Sequence, residues 1–493
     1  MRGFYIISIL IVFHSCYKEK VIYNAESNHD LELPTILRIN DKESVYDYTE
    51  NSLRFPINSD VLNDFSPFIT FQEYSTVYFE GEELVNNSIN HFGTIEINKE
   101  YDVNVVTNGE TENLLLTFTN LPIVQIITTN KIFNEPKTLA KIIVNYTEIN
   151  KKSDTYFIGL EYRGASSQAY QKKSFGFSLK GSTRYEDDIS SSLFDMQKNN
   201  DWILDAMWID KARLRNKTSF ELWDKFDGDN HHGIASEFVE LYINNEHQGL
   251  YCLNENMNAE SLNLNNPNSV LYKAIAWEDG ATRFETYSDN SPINYYWDGW
   301  EQKHPDPSVE INWSPLNQLR HLVVNGNNEV FTSEIDSFID VNNFIDYYIL
   351  LNTTSALDNT GKNLFLVKEN FQDKFRVIPW DLDGSWGMFW NGTQLSHTSV
   401  LSNSLFDRLL ETNAVDFKNK LKQRWISLRG NVLSNTELTQ MFTDQFMLIN
   451  TSEIIDIENR KWGSNIDLNS EKQYLIDWME NRLTFLDNYF YNL

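Results

Sequence analysis

The chain has 493 residues, of which 41% are hydrophobic and 23% are charged, so it is predicted to form several globular domains and not a chain disordered throughout. Lys and Arg total 41 against 70 Asp and Glu, and this net charge of −29 argues against a general nucleic-acid binder, because phosphate contacts need clustered cations. Two cysteines, Cys16 and Cys252, exclude a disulfide scaffold and a cysteine-rich metal site.

The N-terminus predicts an export signal. Arg2 precedes a short apolar run over residues 4–13, which is too short for a bilayer that needs about 20 residues, and Cys16 follows a small residue at its end. This ending resembles the lipobox of bacterial lipoproteins, which implies lipidation of Cys16; an ordinary signal peptide with an incidental cysteine is the alternative. We predict a lipoprotein signal peptide over residues 1–15, a polar tether over residues 16–45, and an extracytoplasmic location, lipid-anchored to the bacterial cell envelope.

Short runs rich in β-branched and aromatic residues follow the tether, and turn residues such as Asn108-Gly109 separate them. The predicted strands are Thr76–Phe79, Thr94–Ile97, Tyr101–Val106 and Leu114–Phe118. This spacing predicts a small Ig-like β-sandwich over residues 46–122, which would act as a spacer or bind a partner. Pro122 marks its end, because proline terminates strands readily.

Strands and helices mix from residue 123 onwards. The predicted strands are Ile142–Tyr146, Phe157–Tyr162, Phe175–Leu179 and Glu237–Ile243, the last followed by a hairpin turn at Asn244-Asn245. Helical signals dominate after residue 314, and they comprise an amphipathic stretch over Val341–Leu351, a capping box at Ser434 and Glu437, and an apolar stripe of Leu475, Met479, Leu483 and Leu486. The sequence therefore predicts a second domain over residues 123–493 and an α+β class for the whole chain.

The segment from Asp358 to Asp383 carries the strongest chemical signal. A helix is predicted to end near Leu351, a polar turn then presents Asp358, and Asn363 follows within the same segment. Two short predicted strands deliver Asp381 and Asp383 into a glycine-containing turn. Mg²⁺ prefers such hard oxygen ligands, and phosphoryl-transfer enzymes of the protein kinase type use an Asp, an Asn and a further Asp in this order. These residues alone leave open phosphoryl transfer, a solvated acidic hairpin and a structural Ca²⁺ site.

Four blocks follow one another over residues 160–387. They are Arg163–Ser167 with Lys172–Phe175; Trp202–Leu204 with Asp210 and Leu214–Asn216; Val239–Asn244 with Gly249–Tyr251 and Glu255; and Asp358, Asn363 and Pro379–Asp383. In this order they resemble the CotH kinase family, atypical protein kinases related to spore-coat protein H. Ala165 stands where that family usually has asparagine.

The resemblance implies an atypical protein-kinase-like, two-lobed domain over residues 123–493 that binds ATP with Mg²⁺, or with Mn²⁺ in its place. The implied roles are catalysis by Asp358, metal binding by Asn363, Asp381 and Asp383, and nucleotide binding by Arg163, Ser166, Ser167, Lys173, Glu255 and Lys273. Asp383 is equally well explained as a cap of its turn. Lys173 and Lys273 are alternative phosphate-facing lysines, and Glu255 would either orient a lysine or lie at the surface.

The resulting prediction is a Mg²⁺-dependent extracytoplasmic kinase that transfers the γ-phosphoryl group of ATP to Ser or Thr of a surface or secreted protein. The alternative is a catalytically silent, kinase-like surface lipoprotein that binds glycan or protein partners through its N-terminal domain or through an aromatic insertion. The insertion contains Trp277, Tyr295, Tyr296, Trp297, Trp300 and Trp313, for which a buried satellite core is the other interpretation. His231-His232 is predicted to lie at the surface, and Cys252 to be a buried apolar residue.

Overall fold

The computed structural model describes residues 36–493 except residues 165, 185, 227–230, 290 and 371, and it does not describe the side chain of Ser166. The predicted signal peptide, Cys16 and the first part of the predicted tether therefore lie outside the described residues. Along the described part of the chain, no helix combines the length and the apolar composition that crossing a bilayer requires.

Residues 38–119 form an assembly of short strands, which we call the N-terminal β unit. Its strands are β1 (Arg38–Ile39), β2 (Lys42–Glu43), β3 (Val45–Asp47), β4 (Ser52–Pro56), β5 (Val61–Phe65), β6 (Phe68–Thr70), β7 (Ser75–Phe79), β8 (Glu82–Glu83), β9 (Ser88–Ile89), β10 (Gly93–Glu96), β11 (Glu100–Thr107) and β12 (Glu110–Thr119). They make three sheets, with the orders β2-β1-β6-β9, β10-β5 and β3-β4-β12-β11-β7-β8, and the sheets share one hydrophobic core. All four strands predicted in this region are confirmed as β7, β10, β11 and β12.

The predicted tether extends too far along the chain. Residues 38–45 belong to β1, β2 and the start of β3, not to a polar linker. Leu37 and Ile39 are fully buried in the core of the N-terminal β unit, and Ile39 pairs with Ile69 of β6. A strand of two residues is too short to show an alternating pattern in the sequence, so only its burial in the folded chain identifies it.

A closed barrel follows the N-terminal β unit. Its strands are β13 (Ile123–Ile127), β14 (Thr138–Asn145), β15 (Asp154–Arg163), β16 (Ser174–Lys180), β17 (Asp201–Asp205), β18 (Ser236–Ile243) and β19 (Glu246–Glu255), in the order β13-β14-β15-β16-β17-β19-β18. A 3-10 turn over Ser166–Ala169 follows β15, and helix α1 (Arg215–Phe226) lies between β17 and β18. Asn244 and Asn245 have φ of 50° and 60°, which is the conformation that a tight hairpin turn requires, so the predicted hairpin is confirmed.

A second sheet and a set of helices complete the chain. The sheet has the order β21-β22-β20-β23-β24, with β20 (Val270–Ala274), β21 (Tyr296–Trp297), β22 (Trp300–His304), β23 (Leu364–Lys368) and β24 (Arg376–Pro379). The helices are α2 (Ser314–Asn325), α3 (Asn328–Phe338), α4 (Val341–Thr354), α5 (Ser404–Thr412), α6 (Phe417–Arg429), α7 (Asn435–Thr451), α8 (Ile454–Trp462) and α9 (Leu468–Tyr491).

Ser434 caps α7 by accepting a hydrogen bond from the Glu437 N–H, and the predicted stripe on α9 is buried, as expected. The chain is of the α+β class.

The N-terminal β unit and the barrel are joined by a buried ion pair. Arg54 of β4 lies 2.6 Å from the carboxylate of Glu240 on β18, and its guanidinium also donates to the Ser452 carbonyl at 3.1 Å. Thr119 donates its hydroxyl to Glu240 at 2.5 Å, and His247 lies 3.3 Å from the same carboxylate. Burial opposes the charge of Glu240, but Arg54, His247 and Thr119 together lower its pKa to about 2. One anion therefore links β4, β12, β18 and β19.

Two predictions about single residues come out differently. His231 is not at the surface: it is buried, its ring stacks on Trp223 with centroids 4.0 Å apart, and its Nε2 lies 2.9 Å from Asp346. The surface prediction for this residue was wrong because its partners lie elsewhere in the chain. Cys252 is buried as predicted, and burial raises the pKa of its thiol well above the usual range.

The aromatic insertion divides into buried and exposed members. Trp297, Trp300 and Trp313 are almost fully buried, and Trp297 stacks beneath the Arg320 guanidinium at 4.2 Å. Trp277 and Tyr295 are exposed. The first three residues are therefore buried as that interpretation requires, but they belong to the main core of the helical part and not to a separate satellite core, while the exposed pair remains on the surface.

Candidate active site

The hairpin of β23 and β24 brings Asn363 and Asp381 together. Leu364 pairs with Pro379 across the hairpin, so the residues just outside it face each other. Trp380 donates its backbone N–H to the Asn363 carbonyl at 3.0 Å, and the Asn363 side-chain amide donates to the Asp381 carbonyl at 3.4 Å. Asn363 and Asp381 have φ of 57° and 53°, a left-handed conformation that is concentrated at functional sites. Two of the three predicted metal ligands thus lie at one end of one hairpin.

Asp358 lies in a 3-10 turn, Leu357–Thr360, directly after α4. Its carboxylate is half-buried and lies 3.6 Å from the ammonium group of Lys362. The exposed Trp277 donates its indole N–H to the Asp358 backbone carbonyl at 3.4 Å. The turn is therefore fixed from outside while the carboxylate stays accessible.

Asn359 ties the Asp358 turn to the hairpin, and sequence reasoning missed it. Its side-chain amide donates to the Asn363 carbonyl at 2.7 Å and to the Trp380 carbonyl at 2.8 Å. Tyr347 of α4 donates its hydroxyl to the Asn359 carbonyl at 2.7 Å. Because buried amides require partners, this arrangement fixes the spacing between Asp358 and Asp381. The sequence signal was slight: one carboxamide directly after Asp358.

Three carboxylates at the end of the hairpin influence one another electrostatically. Asp381 is open to solvent, yet the surrounding protein desolvates it, and this effect together with nearby Asp205 raises its pKa, while Lys273 and Arg163 oppose the rise. Burial, Asp381 and Asp205 raise the pKa of Asp383 well above its usual range. Sequence reasoning did not single out Asp205, whose only signal is an acid at the end of a buried strand, β17.

Two cations face the same indole ring. Lys273 of β20 lies with its Nζ 5.0 Å from the centre of the Trp380 ring and 5.4 Å from that of Phe365. Arg163, at the end of β15, lies 5.4 Å from the Trp380 ring. Burial, reinforced by Arg163, lowers the pKa of Lys273 to about 7. Neither cation forms an ion pair with a carboxylate of the described residues, and cations left unpaired in this way are typical of anion-binding sites.

The structure separates Lys173 and Glu255 from this group. Lys173 donates its ammonium group to the carbonyls of Gln168, at 2.6 Å, and Tyr170, so it holds its own turn. Glu255 accepts from the backbone N–H groups of Gln197 and Ala235 at 2.6 and 3.1 Å, so it fixes backbone, and it forms no ion pair with a lysine of the described residues. Of the two predicted phosphate-facing lysines, the geometry favours Lys273.

The loop after Arg163 requires glycine. Gly164 has a φ of 98°, and a Cβ atom at this position would lie 1.8 Å from the Ser167 hydroxyl. Ser167 therefore packs directly on the Gly164 backbone, beside Arg163. The Ser166 side chain, which was also predicted to bind nucleotide, lies outside the described atoms.

The donor set fits a hard cation. The Asn363 amide nitrogen is used in a hydrogen bond, and its oxygen accepts none from the described residues. With the carboxylates of Asp381 and Asp383, this gives only oxygen donors, which Mg²⁺ prefers. In the described part of the chain, no group of three His, Cys, Asp or Glu side chains could hold a metal by itself. A Mg²⁺ ion that shares its coordination with phosphate oxygens needs only one or two carboxylates from the protein.

Comparison with known proteins identifies the family of this chain. Residues 160–486 match the family model described as CotH kinase protein. Over 306 residues the chain is 22% identical to inner spore coat protein H of Bacillus subtilis (strain 168), and the alignment covers 59% of this chain and 73% of that relative. The family match begins within β15, ends within α9 and leaves out the N-terminal β unit. Because the match covers more than half of its length, the chain belongs to the CotH kinase protein family.

Proposed function

We propose that this chain is an atypical, Mg²⁺-dependent protein kinase that transfers the γ-phosphoryl group of ATP to Ser or Thr of an extracytoplasmic protein. The observation that carries the proposal is the convergence of Asp358, Asn363 and Asp381 on one turn and hairpin, beside the unpaired cations Lys273 and Arg163. An acidic metal-binding end facing unpaired cations matches the charge pattern of a nucleotide phosphate chain with its metal.

The two parts of the site come from different sheets, which supports a two-lobed arrangement. The barrel contributes Arg163, and the five-stranded sheet contributes Lys273, Asn363 and Asp381. Both cations lie near the Trp380 ring, so the two sheets contribute charged groups to the same place. In the proposal the barrel is the lobe over the phosphates, and the sheet with its helices is the lobe that holds the metal and the catalytic turn.

Each residue has one task in the proposed reaction. Asp358 accepts a hydrogen bond from the acceptor hydroxyl and orients it towards the phosphate. Asn363 and Asp381 hold the metal, with Asp383 as a third oxygen donor. Lys273 and Arg163 bind phosphate oxygens through charge-assisted hydrogen bonds. When bound, Mg²⁺ offsets the negative charge of the phosphates.

The proposed location is outside the cytoplasm. It rests on the apolar N-terminal run and on Cys16, the proposed lipidation site, both in the part of the sequence that resembles a lipoprotein signal. The acceptor would then be a surface or secreted protein that the anchored chain can reach. Metabolic labelling with a palmitate analogue, compared between the wild-type chain and Cys16→Ser, tests the anchor: label on both proteins, or on neither, would contradict it.

Titration calorimetry tests the nucleotide site. Residues 17–493 are titrated with ATP in Mg²⁺ or Mn²⁺, beside Asp381→Ala and the control Asp102→Ala, which removes an exposed carboxylate of the N-terminal β unit. We expect saturable, metal-dependent binding that Asp381→Ala abolishes and Asp102→Ala retains. Asp358→Ala should keep nucleotide affinity while phosphoryl transfer falls by about 10²–10⁴-fold. No binding at millimolar nucleotide would contradict the proposal.

A polar cavity supports a second candidate function, a binding protein with a silent nucleotide site. A cavity of about 580 Å³ lies between the N-terminal β unit and the barrel, and polar side chains including Arg38, Gln125, Lys141 and Asn245 line it. Such a cavity suits a hydroxyl-rich glycan or a polar peptide. Under this function Asp358→Ala leaves partner affinity unchanged, whereas the kinase loses turnover.

A further inference from the structure

Helix α8 places one carboxylate inside the protein. Glu458 has no exposed side-chain surface, and it accepts a hydrogen bond from the Leu250 backbone N–H of β19 at 3.2 Å. Its other oxygen accepts from the Arg213 guanidinium at 2.9 Å, and Lys172 donates its ammonium group to the first. A Cβ at Gly249, where φ is 94°, would come within 2.7 Å of the Glu458 side chain. Glycine thus lets this helix approach the strand closely.

The two cations that Glu458 neutralises hold one stretch of backbone, residues 206–216, which we call the brace segment. Lys172 donates to the Ala206 carbonyl at 3.1 Å. Arg213 donates to the carbonyls of Trp208, at 3.1 Å, and Asp210, at 2.9 Å. The segment begins directly after Asp205, the acid that lies close to Asp381. Without Glu458 these two buried cations would face each other with no anion between them.

The brace segment in turn holds the loop of residues 381–386, which we call the Asp381 loop. Asn216 accepts a hydrogen bond from the Leu382 backbone N–H at 2.9 Å, and Arg215 donates to the Ser385 carbonyl at 3.1 Å. Arg215 is itself ion-paired with buried Asp210. The contacts are therefore continuous from α8 through the brace segment to the loop that carries Asp381.

We propose that Glu458 is a positioning residue: from α8, through Lys172 and Arg213, it fixes the brace segment and thereby the place of Asp381. This inference rests on the proposed function, since it names a residue that sets the geometry of the same metal–nucleotide site. Glu458 itself touches neither metal nor nucleotide, because protein groups take up its described contacts. Its effect passes through Lys172 and Arg213 to the backbone that these two cations hold.

Hydrogen exchange tests the structural step without any ligand. The full mature chain is compared with Glu458→Gln, and with Asp456→Asn, which makes the same charge change at an exposed position of the same helix. We expect peptides of the brace segment and of the Asp381 loop to exchange at least about tenfold faster in Glu458→Gln and unchanged in Asp456→Asn. Unchanged exchange in both segments would overturn the proposal.

Nucleotide binding tests the consequence for the site. At a temperature where circular dichroism shows each protein folded, the Kd for ATP with Mg²⁺ should rise about 3–30-fold in Glu458→Gln and stay constant in Asp456→Asn. A residue that only stabilises the fold would not move this Kd, so an unchanged Kd in a folded Glu458→Gln would also overturn the proposal. Failure of the wild type to bind nucleotide would overturn the proposed function instead, while hydrogen exchange still decides the role of Glu458.

A second variant covers the case in which Glu458→Gln does not fold. Glu458→Asp keeps the buried negative charge and shortens the side chain by one methylene, so the two cations remain neutralised while the distances lengthen. We expect intermediate exchange rates in the brace segment and an intermediate Kd. Wild-type values for both measurements would overturn the positioning role.

Discussion

Buried charges are paired at the junction of the N-terminal β unit with the barrel, and they are not paired in the described part of the candidate active site around Trp380. At the junction, Arg54 and Glu240 are paired at 2.6 Å, and the pKa of Glu240 is lowered to about 2, so its charge persists. At the site, Lys273 forms no ion pair with a carboxylate of the described residues, and burial lowers its pKa to about 7, towards the neutral form. A paired buried charge holds structure together, whereas an unpaired one is available for a ligand. In these two regions, buried charges in ion pairs therefore belong to the structural junction, and buried charges without an ion pair belong to the candidate active site.

Breaking the junction pair should have the largest effect on stability. Arg54→Met leaves Glu240 as a buried carboxylate without its main cation, and we expect a loss of about 3–5 kcal/mol in the free energy of unfolding. The pair also predicts a pH dependence. Because the folded pKa of Glu240 lies below its ordinary value of 4.5, its contribution is complete above pH 4.5 and is lost as the pH falls towards 2. Denaturant unfolding between pH 7 and pH 3 measures both.

A surface pair in the same unit provides the control. Lys99 lies 3.9 Å from Glu96, and both side chains are more than half exposed, so Lys99→Met should change the free energy of unfolding by less than about 1 kcal/mol. Arg54→Met should in addition lose the acid-dependent part of the wild-type curve. Equal effects of the two substitutions would show that the junction does not depend on its ion pair.

Removing Lys273, one of the two cations beside Trp380, should weaken ligand binding. Lys273→Met is expected to weaken binding of ATP with Mg²⁺ by about 10–100-fold, the range for a hydrogen bond to a charged group. Lys273→Arg keeps a permanent cation at the same place and should retain most of the affinity. Lys273→Met should lose little stability, because Lys273 forms no ion pair among the described residues and only opposes the rise in the pKa of Asp381. Calorimetric titration and thermal unfolding together check these expectations.

Protonation of Lys273 on nucleotide binding provides a second test of its role. With a pKa of about 7, Lys273 is partly neutral above pH 7, and a phosphate beside it favours the protonated form. Nucleotide binding at pH 7.5 should therefore take up protons, and the binding enthalpy should depend on the ionisation enthalpy of the buffer. Lys273→Arg has no such titration and should lose this dependence. A buffer-independent enthalpy in the wild type would show that Lys273 is not the phosphate-facing group.

The smallest effect is expected at the rim of the site. Lys362 lies 3.6 Å from Asp358, and its side chain is 40% exposed. Solvent screens such a pair, so Lys362→Gln should alter the free energy of unfolding by less than about 1 kcal/mol. A loss above about 2 kcal/mol would mean that the rim pair behaves like the junction pair and would remove the distinction between them.

The sequence correctly predicted those features that depend only on residues close together in the chain. Asn363 and Asp381 lie close together because they flank a single hairpin, and Asp358 lies on the turn that precedes it, so spacing alone grouped these three residues. The hairpin at Asn244-Asn245 and the cap at Ser434 are equally local, since a turn or a cap is determined by a few neighbouring residues.

The tertiary structure decided every question that depends on distant partners. The sequence does not distinguish Lys273 from Lys173 as the phosphate-facing lysine. Only the packing of β20 beside Trp380 favours Lys273. No sequence pattern marks Asp205 or Glu458, because the charged groups with which they interact lie far away along the chain. Short-range hydrogen bonding fixes turns and caps, whereas burial and charge pairing depend on which segments the fold brings together.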